Sequence, residues 1–176
     1  MNILKSIAVI AVVAGFSGGA FIYSGLYPMG ADDPHTAIVY SVLETTRDRA
    51  IDYASADIKV PNLEDPELLL SGGADYNAMC VSCHLQPEVK SSDMSIGLYP
   101  KPPNLAENKA DKSDDQGDEL SQARKHFWVI KHGIKASGMP AWGFTHDDKR
   151  IWAMVAFIQR MPSLTAEQYQ IITARD

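Results

Sequence analysis

Apolar residues follow four different patterns along this chain, and each predicts a different element. The first is unbroken. Ser6 to Ala31 carries no charge, and Ile7 to Tyr27 reads IAVIAVVAGFSGGAFIYSGLY. As a helix rising about 1.5 Å per residue, that run is long enough to cross a hydrocarbon core about 30 Å thick. The second pattern is partial. Ile38, Val42, Thr46 and Ile51 form an incomplete stripe through His35 to Ala56, with Glu44, Arg47, Asp48 and Arg49 mostly off it. It predicts a helix that Val60-Pro61-Asn62-Leu63 and Asp65-Pro66 break. In the third, Leu120, Ala123, Phe127 and Ile130 recur every three or four residues. This predicts a helix from about Asp118 to His132 with one buried face, ended by Gly133. The fourth sets Ile151, Val155 and Ile158 on one face with Trp152 and Ala156 beside them, stopped by Pro162. Thr145-x-x-Asp148 reads as a variant capping box for it, and Thr165-Ala166-Glu167-Gln168 starts a short tail helix.

The N-terminal run has two readings. A cleaved signal peptide has a shorter apolar region and a small-residue cleavage site, for which Gly18-Gly19-Ala20 is a weak match. The run instead continues through Phe21, Ile22, Tyr23 and Leu26, which favours an uncleaved membrane anchor, with Tyr23 and Tyr27 suited to the far interface. Lys5 before it and Asp32-Asp33 after it place the N-terminus in the cytoplasm and export the rest. Gly15 and Gly19, with Ala14 and Gly18 beside them, form a small-residue face that lets a partner helix approach closely. Glycine is also simply common in membrane helices.

Length and charge narrow the classes. The chain has 176 residues, enough for one ordinary domain with additions, and a net charge of −6. That acidity argues against nucleic acid as a partner. Glu107 to Glu119 is a polar, acidic stretch that reads as a solvated loop. Lys101, Lys125, Lys131 and Lys135 read first as solvated positions. A local basic ring that steers an acidic partner is the sharper alternative.

The chemistry sits in Cys80-Val81-Ser82-Cys83-His84. A C-x-x-C-H run is an attachment site for c-type haem. On a helix, Cys80 and Cys83 share one face, so both thiols can reach the vinyl groups of one porphyrin. His84 then offers its imidazole to the iron. Cys80 and Cys83 are the only cysteines. A disulfide across two residues is strained and staples almost nothing. A zinc site needs further ligands, and no second C-x-x-C or H-x-x-x-H exists. A thioredoxin-like redox pair needs a βαβ pattern, which is absent.

The run Gly73-x-x-Tyr76-x-x-x-Cys80-x-x-Cys83-His84 resembles the first helix of class I, mono-haem cytochromes c of bacteria. The resemblance covers about Ser71 to Pro162. It implies a mainly α fold wrapped around one covalent haem c with its iron, here preceded by a single N-terminal transmembrane helix. By that resemblance Gly73 permits close crossing of the first and last helices, and Tyr76 packs at the crossing. Pro103-Asn104-Leu105 is similar to the family's proline segment. The Pro103 carbonyl is then expected to accept the Nδ1–H of His84, and Leu105 to pack on the porphyrin. Gly138-Met139-Pro140-Ala141 resembles the loop that supplies the sixth ligand, making Met139 the expected partner of His84 on the iron. His126, His132 and His146 are the competing ligands. Trp128 either donates its indole N–H to a haem propionate or only packs.

The expected organisation is an N-terminal anchor at 1–31, a helical linker at 32–70, the cytochrome domain at 71–162 and a tail at 163–176. The expected function is single-electron transfer in a bacterial respiratory chain, as an anchored haem c subunit of a membrane oxidoreductase complex or as a donor to it. The expected place is the cytoplasmic membrane, with the haem domain on the periplasmic side. The expected partners are redox proteins, the bilayer, and transmembrane helices meeting the Gly15/Gly19 face. A haem-based sensor or peroxidase-like protein is the alternative, and needs an open sixth site. A third reading is a docking subunit whose haem is incidental.

Overall fold

The computed structural model describes residues 2–107 and 119–174. The chain divides into two compact units, Met1–Pro34 and His35–Asp176. Among the described residues every regular element is helical.

The first unit is one helix, α1 (Ile3–Ser24), strongly apolar and with no buried residue. Its length and composition suit a membrane span. It begins four residues before Ile7, taking in Lys5, and ends before Tyr27. The stop is local: Gly25 turns left-handed at φ 69°, and the Ser24 hydroxyl donates to the Phe21 carbonyl at 2.6 Å. A Cβ added at Gly15, Gly18 or Gly19 would meet nothing within 4 Å.

The second unit is built around α7 (Asp148–Arg160), in which every residue from Ile151 to Ile158 is buried. Asp147 caps it, accepting the Arg150 N–H at 2.8 Å. The cap expected at Thr145 is therefore displaced by two residues. The Thr145 hydroxyl instead approaches the Trp142 carbonyl at 3.3 Å and His146 Nδ1 at 2.8 Å.

Helix α3 (Pro66–Met79) crosses α7. It starts at Pro66 because Asp65 accepts the Glu67 N–H at 2.9 Å and proline suits the first helical position. The Asp65-Pro66 pair that ends one segment thus begins the next, and α3 runs through residue 71. The close approach occurs at Gly72, where a Cβ would overlap the Ala153 backbone. Gly73, expected to make that approach, meets side chains instead, with Phe157 and Ile172 both 3.0 Å from an added Cβ.

After the short helices α4 (Val81–His84) and α5 (Asp93–Gly97) comes α6 (Glu119–His132). It packs on α7 through Phe127 and Trp152, stacked with ring centroids 4.2 Å apart. Its expected start at Asp118, and all but the ends of the acidic stretch 107–119, lie outside the described residues. Gly133 ends α6 as expected, at φ 65°.

Helix α2 (Ala37–Ser55) lies on α6, tied by a 2.6 Å ion pair between Lys125 and Asp52. The Tyr99 hydroxyl accepts the His35 N–H at 3.2 Å near its start. Helix α8 (Ala166–Thr173) opens with a capping box made by Thr165 and Gln168. It buries Tyr169, whose hydroxyl donates to Asn77 on α3 at 3.0 Å. Residues near the C-terminus thus join the core instead of trailing from it.

Candidate functional site

Cys80 closes α3 with its N–H bonded to the Tyr76 carbonyl at 2.8 Å, and α4 is the next turn. The N–H groups of Cys83 and His84 both return to the Cys80 carbonyl, at 3.1 and 2.8 Å. One helical turn therefore carries both thiols and the imidazole. Cys80 is buried, Cys83 half-buried, and no disulfide joins them.

Leu85 ends the turn at φ 68°. Its carbonyl accepts the hydroxyl of Tyr76 at 2.6 Å. Tyr76 is fully buried, with ring centroids 5.3 Å from Phe157 and 6.4 Å from Tyr169. A buried phenol must find an acceptor. Here that requirement clamps the end of the C-x-x-C-H turn to the core. The sequence showed an aromatic at this position but not where its hydroxyl goes.

The Nδ1–H of His84 donates to the Pro103 carbonyl at 2.9 Å. The Leu105 N–H donates to the His84 carbonyl at 3.1 Å. Segment 103–105 is thus bonded to His84 through both side chain and backbone. With Nδ1 carrying the proton, Nε2 holds the free lone pair of a neutral imidazole. Burial pushes the His84 pKa below the ordinary histidine value, and the Pro103 hydrogen bond partly opposes this. Asn104 braces the segment by accepting the Ala106 N–H at 3.0 Å. Ser92 braces the other side, its hydroxyl donating to the Ser82 carbonyl and accepting the Ser95 N–H at 3.0 Å.

Burial, with a smaller contribution from the Asp75 carboxylate, pushes the Cys80 thiol up to about 12. Asp75 is itself buried. It accepts two bonds from Arg150 on α7, at 2.5 Å from Nε and 2.8 Å from a terminal nitrogen.

Met139 lies in the loop between α6 and α7, half-buried against the core as Met79, Val81, Leu105 and Trp142 also are. Two glycines let this loop fold onto the end of α6. A Cβ on Gly133 would meet the Met139 carbonyl at 2.8 Å, and one on Gly143 would meet the Lys131 carbonyl at 2.8 Å. Gly138 lies against Leu98, with a side-chain carbon 2.7 Å from an added Cβ. The loop is stiffened by Ile134 N–H donating to the Met139 carbonyl at 3.2 Å and Met139 N–H donating to Ser137 Oγ at 3.1 Å.

The remaining candidates divide. Trp128 packs on His132, ring centroids 4.9 Å apart, and His132 is exposed. His146 is held between the Thr145 hydroxyl and the Trp142 ring, 5.3 Å away edge-on, and His126 lies half-buried on α6. Of the lysines, Lys125 is paired with Asp52 and Lys131 with Asp148, each at 2.6 Å. Local acids therefore offset half of the expected basic ring.

A haem c asks little of a chain: two unbridged thiols one turn apart, a neutral imidazole with a free nitrogen, and a second axial donor. The first two are present at Cys80, Cys83 and His84, and Met139 and the three histidines are the available donors for the last. Among the described residues no three His, Cys, Asp or Glu side chains gather to hold a metal ion by themselves. A porphyrin brings four nitrogen donors and asks only axial ligands of the protein.

A family model described as cytochrome c oxidase, cbb3-type, subunit III matches residues 67–158. No curated protein and no solved structure matches the chain. The match covers more than half of the sequence, from the first turn of α3 to Ile158 near the end of α7. It carries a covalently bound haem c with its iron, and with it electron transfer. The chain is a member of the cytochrome c oxidase, cbb3-type, subunit III family.

Proposed function

We propose that this protein is a membrane-anchored c-type cytochrome that passes single electrons in a bacterial respiratory chain. It serves as the haem c subunit of a membrane oxidoreductase complex or as a direct donor to one. The observation that carries the site assignment is the 2.9 Å bond from His84 Nδ1–H to the Pro103 carbonyl, one residue after Cys83. It fixes the ring and leaves Nε2 available to an iron.

Cys80 and Cys83 would hold the porphyrin by thioether bonds, and His84 and Met139 would ligate its iron. Pro103 orients His84, Leu105 would pack on the porphyrin, and Trp128 would donate its indole N–H to a propionate. Bound haem c supplies a one-electron ferric–ferrous couple, and a methionine sixth ligand raises its potential. The chain's part is to keep both axial donors in place and water away. Tyr76 and Pro103 hold the proximal side, and the Gly133–Gly143 loop holds Met139. The haem domain, about 71–162, lies on the periplasmic side. Helix α1 crosses the cytoplasmic membrane once and presents Gly15 and Gly19 to a helix of the complex.

Two measurements test this. Met139→Ala should open the iron to carbon monoxide, while the reduced wild type binds little. Rapid binding by wild type would sink the electron-carrier reading and favour a sensor or peroxidase. On a haem-stained native gel of mildly solubilised membranes, the haem band should run with a large assembly, and Gly15→Ile should release it. A band that runs small in both describes an anchored shuttle instead.

A further inference from the structure

Helix α2 is amphipathic in the opposite sense to its neighbours. The row Glu44, Arg47, Ile51 and Ser55 is half-buried or buried, and three of its four residues are polar. Within the helix Arg47 bonds Asp48 at 2.7 Å, and the Tyr40 hydroxyl donates to Glu44 at 3.2 Å. The opposite face carries Ile38, Val42 and Tyr53, exposed to 79%, 59% and 89%. At 3.6 residues per turn these three and Arg49 fall within about 60° of one another and run about 22 Å along the axis.

Arg49 stands within this apolar row. Arg47 has two acidic partners, whereas no ion pair or hydrogen bond holds Arg49 among the described residues. Tyrosine and arginine set among aliphatic side chains is the composition of a protein-binding hot spot. A bilayer surface is a poorer match. Helices that lie on membranes carry a lysine- and arginine-rich polar face. Here the polar residues include Glu44, Asp48 and Asp52, on a chain of net charge −6.

We propose that the outward face of α2 docks on a protein of the membrane oxidoreductase, at an apolar surface bearing a carboxylate opposite Arg49. The proposal rests on the reading of the chain as a subunit of, or donor to, such a complex, and names the surface that meets it.

The test uses the full anchored chain in its native membranes, with a photo-cross-linking residue at Val42 and, as control, at the exposed Lys149 of α7. The expected result is an adduct from position 42, absent from 149, to one membrane protein at a peptide containing Asp or Glu. Arg49→Glu should lower its yield at least tenfold without shifting the melting temperature. Exchanging the partner's acid for lysine should restore the yield with Arg49→Glu. Adducts only to lipid, only to a second copy, or equal from both positions would overturn the proposal, as would a yield indifferent to Arg49→Glu. The native gel separates the two readings. If wild type runs with the complex while Arg49→Glu leaves the adduct unchanged, the docking surface is wrong and the subunit reading stands. If wild type runs alone, the subunit reading fails. The position-42 adduct then still decides the surface, since an acidic protein peptide supports it and its absence overturns it.

Discussion

Helices α7 and α2 belong to the same compact unit and use their apolar residues in opposite ways. In α7 everything from Ile151 to Ile158 is buried, and α3 comes close enough at Gly72 to touch backbone. In α2 only Ser55 is buried, Glu44 and Arg47 share the half-buried row with Ile51, and Ile38 and Val42 face out. Each helix has apolar residues at helical spacing. Periodicity therefore says that an element has a face, and says nothing about what the face meets. The α7 face closes the core around the C-x-x-C-H turn, and the α2 face is left for another molecule.

The crossing of α3 and α7 is the most sensitive point. Gly72→Val puts a branched side chain into the Ala153 backbone and should cost more than about 3 kcal/mol. The expected result is little or no haem-loaded protein. Normal accumulation would mean that the helices cross elsewhere. Next, Phe157→Ala removes a fully buried ring from between Tyr76 and Tyr169 and should cost about 3–5 kcal/mol in denaturant unfolding of the haem-loaded protein.

Tyr169→Phe removes one hydrogen bond to Asn77 and should cost about 1 kcal/mol at neutral pH. Its sharper signature is in alkali. Burial pushes the Tyr169 hydroxyl from its ordinary 10.0 up to about 12. A raised folded-state pKa means the folded chain holds this proton more tightly than the unfolded chain. The resulting stability is complete below pH 10 and lost as the pH rises from about 10 to 12. The phenylalanine variant should lose less stability across that window. Parallel curves would show that Tyr169 does not contribute. Smallest of all, Val42→Ser on α2 should change stability by less than about 0.5 kcal/mol, because its site is already open to solvent. A large loss there would erase the contrast between the two helices.

Much of the site is legible in the chain because its chemistry is local. Cys80, Cys83 and His84 must share one turn, and the C-x-x-C-H spacing states that outright. Pro103 and Leu105 were reached only by resemblance, and the structure brings both onto His84. The misplacements have physical causes. The Gly72-Gly73 pair offers two candidates one residue apart, and only the packed helices reveal which one meets backbone. Asp147 displaces Thr145 as the cap because both are good caps and α7 begins where its buried face begins. The Asp75–Arg150 pair joins residues 75 positions apart, and nothing in local pattern links them. The sequence assigns the tail helix no role because its anchoring residue, Tyr169, stands alone there and acquires one only against Asn77 and Phe157.

Read alone, the residues give the individual amphipathic helices, an apolar segment long enough to span a bilayer, and the covalent attachment chemistry. These follow from composition, periodicity and spacing within a single turn. Packing alone settles which glycine carries the crossing, where the Tyr76 and Tyr169 hydroxyls find their acceptors, and that α2 turns Ile38 and Val42 outward. Those depend on which surfaces are brought together, and a residue's own neighbours in the chain do not contain that information.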